Sequence, residues 1–281
     1  MKLVHFDDFR LGVLTDDERL VDVSGLVGGD TARPQQRLET LITGWQELRP
    51  TLERAAQGGS GVPVGQVRLR PAVPKPGQLA CAAVNYLEEG RPEKGPFNAF
   101  LKSPTSIVGD GDTVELPDCE ATVFHFEPEL ALVIGKRAAH LSERDALDHV
   151  FGYVSFIDGS ARGLPGGFFL AKSWHTMAPV GPALVTADEV GDPNKLEVSL
   201  ALNGQPRHTY STSLMARHVP ELLAEMTRVI ALEPGDVVAT GVHHTALFPV
   251  MGGDRISVKI EKLGPSLNVS VRDPKNRKWD R

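Results

Sequence analysis

The chain has 281 residues, of which 41% are hydrophobic, 23% charged and 6% aromatic, an ordinary composition for a globular protein with a sizeable core. A formal net charge of −6 supplies no field to attract nucleic acid, and two cysteines without a Cys-x-x-Cys pair build neither a disulfide framework nor a structural zinc site. The longest apolar run, near residues 130–134, is far too short to cross a bilayer, and residues 1–10 lack a signal peptide's apolar core, so a cytoplasmic protein without a membrane partner is expected.

Residues 1–70 read as a small N-terminal α/β domain. Short strands are predicted at 2–6, 10–14 and 19–23, followed by a helix over 34–56 with Leu38, Leu41, Ile42, Trp45 and Leu48 at helical spacing. The Gly-rich stretch 57–61 ends that helix as a connector. Pro71, Pro74 and Pro76 mark an extended crossing into a second domain, residues 71–281. There, strands are predicted at 79–84, 99–102, 129–135, 152–158, 196–202, 236–240 and 254–260, interrupted by helices at 143–150 and 218–229. Asn203-Gly204 is a hairpin signal. Many short strands with few helices predict a β-rich α+β fold. The polar, Gly- and Pro-punctuated segment 86–98 reads equally as a solvated loop or as a lid over a site.

The most informative stretch is Phe126-Glu127-Pro128-Glu129-Leu130, at the mouth of an apolar run. Side chains alternate along a strand, so Glu127 and Glu129 share a face. Two like charges there are costly unless a positive charge lies between them. Carboxylate oxygens suit a hard divalent cation: Mg²⁺, Mn²⁺ or Ca²⁺. Pro128 cannot donate to a ladder, which predicts a bulge or a sheet edge at that point.

Several pieces then follow in order: Val84-Asn85-Tyr86, Phe100-Leu101-Lys102, Glu127-Pro128-Glu129-Leu130 with Val133-Ile134-Gly135-Lys136, and Gly152-Tyr153 leading to Asp158-Gly159-Ser160-Ala161-Arg162. After them come Lys172-Ser173, Pro179-Val180-Gly181-Pro182, Asn203-Gly204, Leu232-Glu233-Pro234-Gly235-Asp236, Thr240-Gly241 and Gly253-Asp254. This ordered set, over residues 71–271, resembles the fumarylacetoacetate hydrolase family. The resemblance implies a mixed β-roll, a homodimer, and three carboxylates around Mg²⁺ or Mn²⁺, here Glu127, Glu129 and Asp158. It also implies a 1,3-dicarbonyl or 2-oxo acid substrate, an active-site lysine at Lys172, and contacts to substrate from Tyr86, Thr240 and Gly241. Arg162, four residues after Asp158, would hold a substrate carboxylate or pair with the acids.

The chain departs from the family pattern at the base. Where members carry Asn-Tyr-x-x-His-x-x-Glu, this sequence has Glu89 and Pro92 in place of the histidine and glutamate. Glu89, His243 or His244 could act as the base instead, and His208 could touch substrate. Thr240-Gly241 is followed by Val242 rather than threonine, and Gly163 replaces a common aspartate, so the pocket differs from that of a standard acylpyruvate hydrolase.

The leading expectation is a divalent-metal-dependent hydrolase of a carbon–carbon bond in a β-dicarbonyl or 2-oxo acid, with the metal as Lewis acid toward the enolate. Decarboxylation, hydration or tautomerisation is the alternative, since decarboxylation and tautomerisation need no activated water. A metal-binding, non-catalytic homologue is the third reading.

Overall fold

Two long antiparallel strands, Val123–Ile134 and Val150–Arg162, form the spine of the molecule. The structure, a computed structural model, describes residues 1–29 and 32–281. The spine lies in a large mixed sheet. On one side of it, Ala183–Thr186 pairs with Val150–Arg162 and passes the sheet on to Lys2–Phe6, Arg10–Leu14, Arg19–Asp22 and Val62–Pro63. On the other side, Val237–Ala239, Leu79–Ala82 and Ala99–Lys102 follow Val123–Ile134. A second, five-stranded sheet runs in the order Gln205–Ser211, Glu197–Leu202, Arg255–Ile260, Leu267–Arg272, Thr113–Glu115. Its first hairpin turns at Asn203 and Gly204, whose φ values of 51° and 81° are those a tight primed turn demands.

The expected β-rich α+β fold is therefore present, as two main sheets that pack together without closing into a barrel, beside a two-stranded sheet of Ile107–Val108 and Ala178–Pro179. Alternation along the spine explains the layering. Leu130, Leu132 and Ile134 face one core, with Val198, Leu200, Ile256 and Val258 of the second sheet. Ala131 and Val133 face the other, with Leu38, Leu41, Ile42 and Leu52 of the N-terminal helices. The strands of residues 1–70 continue the same sheet as the rest, through the pairing of Lys2 with Val185.

Several expected elements change length. The helix predicted over 34–56 is two helices, Pro34–Thr43 and Trp45–Gly58, because Gly44 stops the first and its N–H closes back on Thr40. The helix predicted over 143–150 is a single turn, Glu143–Ala146, continued by a short 3₁₀ turn at Leu147–His149. The strands predicted at 129–135 and 152–158 both extend to the site end, where His125, Glu127 and Asp158 interrupt the apolar pattern while the ladder continues. Among the described residues, no helix is long and apolar enough to cross a membrane.

Candidate active site

The long hairpin brings the three acids together. Glu127 pairs directly with Asp158, and Glu129 with Phe156, so the carboxylates lie on the face shared by Ala131, Val133, Val154 and Phe156. All three are almost fully buried, and one oxygen from each lies within 4.8 Å of the others. Pro128 pairs opposite Ile157 with no register shift; the shift falls at Val133 and Ile134. The bulge expected at Pro128 is thus absent. The edge reading holds, since ladder pairing on the strand's other side begins only at Ala131. The Pro128 carbonyl accepts from the Tyr210 hydroxyl.

Three cations meet these acids. Lys172, at the end of the helix Phe168–Lys172, donates to Glu127 Oε2 at 2.8 Å and also to Asp158. Arg162 reaches Glu127 from the cavity mouth, where its side chain is one-third exposed. The third, Lys102, is fully buried and donates to Asp158 Oδ1 at 2.7 Å and to the Gly159 carbonyl at 2.9 Å. Its place in the site was not anticipated, although a signal existed. In Ala99–Lys102 the lysine occupies the same buried parity as Phe100, while Leu101 is 54% exposed.

The charges are not evenly shared. Burial raises the Asp158 carboxyl, but Lys102 and Lys172 outweigh it and hold the group below its usual range. Glu129 receives its hydrogen bond from the Gly241 N–H at 2.8 Å. Burial, then Asp158 and then Glu127, push its carboxyl well above the usual range. A buried carboxylate crowded by like charges is short of a cation, and three hard oxygen donors converging there fit Mg²⁺ or Mn²⁺.

A cavity of about 80 Å³ opens onto this cluster. It is lined by the acids, Lys172, Arg162, Gly241 and His244, with Val84, Phe100 and Phe168 as an apolar wall. Phe100 and Phe168 stack at 4.6 Å, and the Lys172 ammonium lies 5.3 Å from the Phe100 ring. Gly241 occupies a backbone conformation and a close approach that favour glycine. Its φ is +87°, and an added Cβ would sit 3.3 Å from the Ala82 carbonyl and from Asn85 Cβ. Gly241→Ala is expected to cost about 1–2 kcal/mol, read as a lowered urea midpoint with an unchanged slope.

The remaining expected residues divide. Glu89 is exposed and outside the cavity. Its neighbour Glu88, which was not anticipated, turns inward. Glu88 Oε1 accepts from the His244 backbone N–H at 2.7 Å and from His244 Nδ1 at 2.9 Å. Burial opposes ionisation of Glu88, but these two bonds hold its carboxyl below the usual range. Thr240 is buried, with its hydroxyl donating to the Leu130 carbonyl at 2.9 Å, so it anchors the loop. Tyr86, His208 and His243 gather around Tyr210 and do not line the cavity, with ring centroids 5.1 to 6.1 Å from the Tyr210 ring. Neither nitrogen of buried His208 has a hydrogen-bond partner among the described residues, and burial lowers its pKa to about 4. The segment 86–98 turns back at Glu88 and Arg91, and is tied down by Lys94 to Glu221 and by Arg217 to the Gly95 carbonyl.

Residues 78–271 match the family model for the fumarylacetoacetate (FAA) hydrolase C-terminal domain. The chain is 34% identical to the oxaloacetate tautomerase YisK of Bacillus subtilis (strain 168), over 92% of this chain and 95% of that protein. It is 32% identical to the maleylpyruvate hydrolase of Aquipseudomonas alcaligenes, over 97% and 99%. The crystal structure of maleylpyruvate hydrolase from Sphingobium sp. SYK-6, in complex with manganese(II) ion and pyruvate, superposes with a TM-score of 0.88 at 34% identity, covering 97% of this chain and 99% of that one.

Proposed function

This chain belongs to the fumarylacetoacetate hydrolase family, and we propose that it is a divalent-metal-dependent hydrolase cleaving the carbon–carbon bond of an acylpyruvate-type 2-oxo acid. The observation that carries this reading is the set of three buried carboxylates within 4.8 Å of one another, sharing one cavity with Lys172 and Arg162. Glu127, Glu129 and Asp158 would hold Mg²⁺ or Mn²⁺, which supplies Lewis-acid stabilisation for negative charge developing on the substrate's oxygens. Arg162, at the cavity mouth, offers its guanidinium fork to a substrate carboxylate. Lys172 adds a buried positive charge beside the developing oxyanion. Phe100 and the partly exposed Phe168 form the apolar wall against which an acyl chain would pack.

The test uses maleylpyruvate, with and without EDTA, in H₂¹⁸O. Metal-dependent release of pyruvate, with one ¹⁸O in the new carboxylate of the acid product, is the expected result. Turnover unaffected by chelation, or no ¹⁸O in the product, would overturn the reading.

Keto–enol tautomerisation of oxaloacetate is the second reading, favoured by the 34% identity to an oxaloacetate tautomerase across 92% of the chain. It predicts accelerated decay of enol-oxaloacetate absorbance with no bond cleavage.

A further inference from the structure

We propose that Glu88 and His244 together form the general base of this site, with His244 as the catalytic residue and Glu88 as its positioning residue. The proposal rests on the reading above that the carboxylate cluster is a 2-oxo acid site, and it deepens that reading. The histidine and glutamate of the family's Asn-Tyr motif are absent here, but the structure builds a pair from two separate loops. His244 comes from the 3₁₀ turn His244–Ala246, beyond the Gly241 whose N–H binds Glu129. Glu88 comes from the segment after Tyr86, 156 residues away in sequence.

Glu88 grips His244 twice, at the backbone N–H and at Nδ1. An ionised carboxylate only accepts, so Nδ1 carries the proton and Nε2 is left as the basic nitrogen. The side chain of Glu88 is 8% exposed while that of His244 is 32% exposed, so the carboxylate is sequestered and the imidazole faces the accessible side. His244 lines the same cavity as Glu127, Glu129, Asp158 and Lys172. The other expected bases do not share this geometry. Glu89 is exposed, and His243 Nδ1 is engaged by the Thr245 hydroxyl at 2.8 Å.

In hydrolysis, Nε2 takes one proton from water as the water oxygen bonds to the acyl carbon and the carbonyl π pair moves onto its oxygen. That pair re-forms the carbonyl as the carbon–carbon bond breaks, the bond's electrons passing to the departing 2-oxo acid as its enolate. The imidazolium then gives its proton to the enolate's carbon, while the second water proton stays with the new acid. In enolisation, the same nitrogen takes a proton from the carbon beside the carbonyl as the C–H electron pair moves toward the carbonyl oxygen. The enolate then takes a proton on that oxygen to give the enol, or takes back on carbon a solvent proton exchanged through the imidazolium.

The experiment follows exchange of the pyruvate methyl protons for deuterium in D₂O with Mg²⁺ present, by NMR, alongside hydrolysis of maleylpyruvate. The wild type should catalyse exchange. His244→Ala should lower both rates by about 10²-fold or more and Glu88→Gln by roughly tenfold or more. Mn²⁺ affinity, pyruvate affinity and melting temperature should remain near wild type. Added imidazole should restore exchange to His244→Ala, a response that a structural role would not give. Exposed Glu89→Gln serves as the control and should match the wild type. Variants of Glu88 and His244 with wild-type rates, or rates lost only together with metal affinity, or a wild type that catalyses no exchange, would overturn the proposal. Exchange by the wild type without hydrolysis would retire the hydrolase reading and leave the base assignment standing.

Discussion

Glu129→Gln should leave the metal-free protein at least as stable as the wild type near neutral pH, while removing its response to metal. Glu129 is buried beside Asp158 and Glu127, and these surroundings raise its folded pKa above the unfolded value. Such a group stabilises the fold below its unfolded pKa, and that contribution is lost as pH rises through the folded pKa. Glutamine carries no charge at any pH, and its carbonyl can still accept from the Gly241 N–H. The variant's advantage over metal-free wild type should therefore grow as pH rises through that raised pKa. Added Mn²⁺ should reverse the order. At a concentration about 100-fold above Kd, a bound ion stabilises the wild type by about 2.7 kcal/mol, and the variant should gain almost none of it. Turnover of a 2-oxo acid should fall by roughly 10³-fold or more, since Lewis-acid stabilisation is worth several kcal/mol. Paired denaturation curves across pH, with and without Mn²⁺, check this. A metal-free variant clearly less stable than the wild type would mean that Glu129 is held by a favourable network rather than crowded by like charge.

Lys102→Met should be among the most destabilising single changes in the molecule, at about 3–5 kcal/mol, because it strips a fully buried carboxylate of one of its two cations. Asp158 would keep only Lys172, which it already shares with Glu127. The double variant Lys102→Met with Asp158→Asn should be less destabilised than the sum of the two single changes, since neither charge is then left alone. Urea unfolding of the four proteins gives the coupling directly. Additive effects would show that Lys102 acts through packing alone. Because Asp158 is held below its usual range, its contribution is present above the unfolded carboxylate pKa and is lost as pH falls through the lowered folded value. The acid limb of the wild-type stability curve should therefore lie further toward low pH than that of Lys102→Met.

Much of this site was legible in the chain because strand geometry is periodic. Glu127 and Glu129 had to share a face whatever the rest of the fold did, and the Asn203-Gly204 turn fixed the register of its own hairpin. Glu127 and Asp158 became direct cross-strand partners through the pairing of two long strands, which the apolar pattern understated because the acids themselves interrupt it. The strands 183–186 and 267–272 were missed for different reasons. Ala183–Thr186 is only four residues long and is defined by a neighbour far away in sequence, whereas Leu267–Arg272 carries a local alternation of Leu267, Val269 and Val271 and pairs with nearby Arg255–Ile260, a signal that was overlooked.

The base shows the limit most clearly. By residue number, Glu89 stands where a histidine was expected, but the backbone turns between Glu88 and Arg91 and leaves Glu89 outside. Which of two adjacent glutamates faces inward depends on that turn, and the turn depends on contacts with residues 214, 217 and 221. Periodicity carries no information about a loop. Thus the sequence by itself determined the carboxylate face, a set of oxygen donors suited to a hard cation, and the β-rich fold, because composition and a two-residue repeat settle them locally. Only the tertiary structure decided that Lys102 neutralises Asp158 and that Glu88 holds His244. These pairs join residues 56 and 156 positions apart, and strand order and loop packing alone bring them into contact.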